Sequence, residues 1–105
     1  MENFLSARNI VENNALRARL YYQVPNPNVV LDRLKKNGTR FRRVLKFTGY
    51  NAFATVLRME ANELLDEPDL RLLKIACSIL WDDAPEPSKQ MYIFCAQVVD
   101  ANIRR

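Results

Sequence analysis

The chain reads as all-α, and three observations carry that reading. Only 2 glycines occur in 105 residues, too few for the tight turns of a β-rich fold. The prolines sit in short breakers, Val24-Pro25-Asn26-Pro27, Asp66-Glu67-Pro68 and Pro85-Glu86-Pro87. Between the breakers, apolar residues recur at the three- and four-residue spacing of a helix face.

Residues 3–21 lack Gly and Pro, and Phe4, Ala7, Val11, Ala18 and Tyr21 follow a loose helical spacing. A helix is predicted there, weakened in its middle by Asn13 and Asn14. After the first breaker, Asn28 is the predicted N-cap of a short helix from Val29 to Asn37, with Arg33, Lys35 and Lys36 near its C-terminal end, where cations suit the helix dipole, and Gly38 closing it. Thr39 to Phe47 reads as extended: Phe41, Leu45 and Phe47 fall on one edge, Arg40, Arg42 and Lys46 on the other, and Arg43 breaks the alternation. Three further helices are predicted over 51–65, 69–81 and from a cap at Ser88 to about Ile103.

Composition excludes several chemistries. The chain has no His, which removes His-dependent hydrolases and the commonest general base. Its two cysteines, Cys77 and Cys95, are too few for a four-ligand metal site or a disulfide framework and fall at helical core positions. No apolar run approaches the ~20 residues that span a bilayer, and the first residues are too polar for a signal peptide. An intracellular protein without cofactor, metal or catalytic constellation is expected, one that is not an enzyme.

Charge is distributed unevenly. Residues 1–47 carry ten Lys/Arg against Glu2, Glu12 and Asp32, whereas residues 48–105 carry six against nine acids. A basic segment that meets an anion, or two halves that complement each other, would give such a division.

Within this pattern, Tyr50-Asn51-Ala52-Phe53 opens one helix, Ile79-Leu80-Trp81 closes the next, and Tyr92 follows Trp81 by eleven residues in a stretch that begins Pro85-Glu86-Pro87-Ser88-Lys89. This ordered set, over about residues 40–105, resembles an HMG box, most closely the fungal mating-type boxes. The resemblance implies a three-helix, L-shaped box (39–105) with a basic extended segment, preceded by an N-terminal helical extension (1–38). It implies that Phe53, Trp81 and Tyr92 form a structural core, and that DNA is bound in the minor groove and bent. The implied DNA-binding residues are Arg40, Arg42, Arg43, Lys46, Asn51 and Arg58, in a nuclear regulator of transcription or mating type.

The chain also departs from the family. Thr48-Gly49 stands where the family has Arg-Pro, and Ala54 stands at the position of the intercalating wedge. A methyl group cannot hold a base step open, so weakened binding and a small bend are expected. Leu72, Ile75 and Ile79 share a face that is usually charged, and Ile93, Phe94 and Val98 replace usually polar residues on the last helix. Such faces call for a cover: the extension, a second copy in a homodimer, or another protein. The alternative function is therefore a protein-interaction module on the box fold that has lost most DNA binding. Neither a membrane nor a small-molecule substrate is expected as partner.

Overall fold

The structure, a computed structural model, describes residues 2–36, 46–65 and 68–103. Among the described residues there are six helices and no strand: α1 (Glu2–Val11), α2 (Asn14–Tyr22), α3 (Pro27–Lys36), α4 (Gly49–Leu64), α5 (Leu70–Asp83) and α6 (Glu86–Ile103). The protein is all-α. No described helix is long and apolar enough to cross a membrane. The extended segment expected at 39–47 falls mostly outside the described residues; of it, Lys46 and Phe47 are described.

Local chemistry fixes the helix ends. The helix predicted over 3–21 is two helices. Asn13 ends the first and caps the second, its side chain accepting a hydrogen bond from the Leu16 N–H at 3.0 Å, so the asparagines break the helix rather than merely weaken it. The α3 cap lies two residues before the expected Asn28. Asn26 accepts from the Asn28 N–H at 2.9 Å, and Pro27 occupies the first helical position, where its fixed φ and missing N–H cost nothing. Asp69 caps α5 by accepting from the Arg71 N–H at 2.8 Å. Ser88 is not a cap: α6 starts at Glu86, and Ser88 is buried.

One apolar cluster draws on every helix, from Ile10 and Val11 in α1 to Val99 in α6. At its centre the Phe53 ring meets Tyr92 at 5.0 Å and Trp81 at 5.3 Å between centroids, both edge-on, and Tyr50 lies 6.0 Å from Trp81. Edge-to-face geometry sets the positive ring edge on the negative face and adds to the gain from burial. Lys89 sits over the outer face of Trp81, 6.0 Å from the centroid.

Three buried hydrogen bonds fasten α2 to the last two helices. The carbonyls in the final turn of a helix lack partners within it. Here Tyr92 donates its hydroxyl to the Leu20 carbonyl at 2.6 Å, and Ser88 donates to the Tyr21 carbonyl at 2.6 Å. Tyr21 in turn donates its phenol to the carbonyl of Leu80, near the end of α5, at 2.7 Å. On the other side of α2, Arg19 reaches Glu60 and Glu63 of α4, each at 2.8 Å. No buried side-chain nitrogen or oxygen among the described residues lacks a partner.

α1 packs along α5 with Ala7, Ile10 and Val11 buried. Leu72 and Ile79, on the flank of α5 turned away from α4, are half-buried against the core. Ile75 lies further round that flank and is 36% exposed.

At Gly49, α4 comes close to the backbone of α6. A Cβ at this position would stand 2.7 Å from Cγ1 of Ile93 and 3.1 Å from its Cα and N. The Thr48-Gly49 pair is thereby explained: Thr48 caps α4, and Gly49 lets α4 seat on the α6 backbone. Gly49→Ala is expected to lower stability by about 1–2 kcal/mol in urea titrations, because overpacking outweighs the gain in helix propensity. An unchanged midpoint would show that α6 yields freely at Ile93.

Candidate nucleic-acid interface

α4 begins with a reciprocal cap. Asn51 donates its backbone N–H to Thr48 Oγ1 at 3.2 Å, while Asn51 Oδ1 accepts from the Thr48 N–H and hydroxyl, both at 2.9 Å. This is a capping box with Asn in place of the usual Glu or Gln. It holds the Asn51 amide at the surface by its oxygen and leaves the NH2 group without a partner among the described residues.

Seven residues on, Arg58 projects from the same face, with Thr55 and Asn62 beside that line; Asn51, Arg58 and Asn62 are exposed. This face of α4 carries no acid. The two acids of α4, Glu60 and Glu63, lie round the helix and are held by Arg19. Arg58 forms no ion pair among the described residues. The pairing with both carboxylates raises the Arg19 pKa, the Glu60 hydrogen bond chiefly, against a smaller lowering by burial.

The segment entering α4 is anchored as well. Phe47 is buried and donates its backbone N–H to Asp100 of α6 at 3.2 Å, while the neighbouring Lys46 is exposed. Lys46, Asn51 and Arg58 are therefore displayed in and just before one helix. Arg40, Arg42 and Arg43 lie outside the described residues.

The other residues singled out in the sequence fall into two groups. Phe53 and Tyr92 are fully buried and Trp81 half-buried in the aromatic cluster. On α6, Phe94 is 66% and Ile93 36% exposed, whereas Val98 is half-buried. Sequence reasoning passed over Lys74 and Ser78, which face Arg58 and Tyr50 across a cleft between α4 and α5. The recurrence of Leu70, Lys74 and Ser78 every four residues along α5 was the available signal.

Cys77 and Cys95 are buried free thiols. Burial pushes the Cys95 pKa up to about 11 from 9.0. Burial also raises Cys77, partly offset by its contact with the Tyr50 hydroxyl, and raises Tyr21 and Tyr92. In each case the folded state favours the protonated form. Their stabilisation is complete below the unfolded pKa and is lost as pH rises through the folded one. Stability is expected to fall from about pH 9 upward, with Cys95 alone contributing roughly 2–3 kcal/mol. Denaturant midpoints at pH 8 and pH 10.5 measure the loss, and Cys95→Ala should reduce it; equal midpoints would contradict the buried-thiol reading. No cluster of three or more Cys, Asp or Glu among the described residues could hold a metal ion.

Compared with models of protein families, with curated proteins and with solved structures, the chain matches none. The functional reading therefore rests on the geometry of the α4 face and on the residues that resemble an HMG box.

Proposed function

We propose that this chain is a DNA-binding protein of HMG-box type, a nuclear regulator of transcription such as a mating-type regulator, that engages the minor groove weakly. The observation that carries the reading is the acid-free face of α4. It presents Asn51 and Arg58, which has no ion pair among the described residues, directly after a segment containing Arg40, Arg42, Arg43 and Lys46. Guanidinium and ammonium groups of such a segment and helix face would neutralise phosphates. An amide tethered through its oxygen can offer its NH2 to the acceptors on minor-groove base edges.

Ala54 is half-buried in the cleft wall, so no wedge projects from that position and DNA is expected to bend little. Arg58→Ala should weaken binding to a short AT-rich duplex and flatten its log–log salt slope by about 1 unit. Arg71→Ala, an exposed cation at the start of α5, should do neither. Equal effects at both positions would reduce the interface to diffuse charge.

A second reading, a protein-interaction module on the same helices, is favoured by one observation. Phe94 and Ile93 remain exposed on α6 although α1–α3 cover much of the remaining apolar surface. A homodimer or another protein would bury them.

A further inference from the structure

The cleft between α4 and α5 has a volume of about 560 Å³, within the range of small-molecule sites. Its floor is apolar, formed by the buried side chains of Leu57, Leu73 and Cys77. Ala54 is the reason space remains: a larger side chain on that turn of α4 would fill it. At one end the Tyr50 hydroxyl and Ser78 Oγ lie 3.2 Å apart and close the cleft. Because the start of α4 meets the C-terminal half of α5 there, the helices run in opposite directions, and Arg58 stands toward the other end, near Lys74 and Leu70. Tyr50 and Arg58 are eight residues apart on one helix, roughly 12 Å along its axis.

The far end has an unbalanced chemistry. Arg58 and Lys74 both line the cleft, and among the described residues no acid lines it and neither cation forms an ion pair. Beside them Leu70 is 55% exposed, an apolar surface next to the two cations. A ligand with an extended apolar body about 10 Å long and one terminal anion satisfies every part of this lining: alkyl chain on the floor, carboxylate between guanidinium and ammonium.

We propose that the α4–α5 cleft is a binding site for a medium-chain carboxylate, its chain over Leu57, Leu73 and Cys77 and its head group held by Arg58 and Lys74. The site shares Arg58 with the proposed DNA face but does not depend on that reading. Isothermal titration of the full chain with decanoate, below its micelle concentration, tests it. One saturable site is expected, with decanol binding at least tenfold more weakly and inorganic phosphate failing to compete. The Arg58→Gln/Lys74→Gln variant, altered only at exposed positions, should lose at least tenfold in decanoate affinity while its decanol affinity stays the same. Ala54→Phe, which fills the cleft, should weaken both ligands. Absence of a saturable site, equal affinity for decanoate and decanol, displacement by phosphate, or undiminished binding in either variant would overturn the proposal. Failure of duplex binding in a protein that takes up decanoate would leave this site standing and remove only the DNA reading.

Discussion

Phe53→Ala is expected to cost about 3–5 kcal/mol, enough to leave a domain of this size largely unfolded near 37 °C if its total stability is at the lower end of the usual ~5–15 kcal/mol. Phe53 is 0% exposed, and its ring is the one that both Trp81 and Tyr92 meet edge-on. Truncation removes the ring's transfer free energy, two aromatic contacts and the support for Tyr92. The Tyr92 hydroxyl completes the last turn of α2, so the damage should spread to the link between α2 and α6. Urea unfolding followed by helical circular dichroism and by Trp81 fluorescence measures the loss; a cost below about 1 kcal/mol would mean that the cluster collapses around the cavity and is not the centre of the core.

The second large effect concerns the basic segment. If Arg40, Arg42, Arg43, Lys46 and Arg58 each neutralise a phosphate, the log–log salt slope on duplex DNA should be about −4 to −5. Affinity would then fall roughly several-hundredfold between 50 and 200 mM salt. Replacing Arg42 and Arg43 with Ala should flatten the slope by up to about 2 units and weaken binding at 50 mM by about 10- to 100-fold. The pair is expected to contribute as much as any two cations of the proposed interface, because the segment ends at a fixed point, Phe47 on Asp100 of α6. An unchanged slope would take the segment out of the interface and leave α4 to bind alone.

The helices were legible in the sequence because they are encoded locally: proline breakers mark the gaps. The aromatic core was expected from the resemblance to an HMG box, and Phe53, Trp81 and Tyr92 meet across α4, α5 and α6. What escaped depends on partners distant in the chain. Ser88 looks like an N-cap in isolation; its actual partner, the Tyr21 carbonyl, lies 67 residues away. Arg19 reads as an ordinary solvated cation, yet its ion pairs with Glu60 and Glu63 hold the acids of α4 away from the Asn51–Arg58 face. Asn13 and Asn14 carry two opposite messages, weak helix former and strong cap, and only the packing of α1 on α5 and α2 on α4 decides for the break. Asn51 was assigned from a resemblance to a family; its tether to Thr48 needed coordinates. The cleft escaped for a similar reason, since Arg58 and Lys74 become neighbours only when α4 and α5 run in opposite directions.

The central claim is that an HMG-box-like face of α4, with the basic segment before it, binds DNA. Its most direct test is a titration of the pure protein with a short AT-rich duplex at 50 and 200 mM salt, with the molar mass of the complex recorded by light scattering. Saturable binding at 50 mM, weakened roughly several-hundredfold at 200 mM, with a mass that fixes whether one copy or two engage the duplex, is the result expected. No binding at 50 mM, by a protein that is folded, would contradict the claim and leave the interaction-module reading in its place.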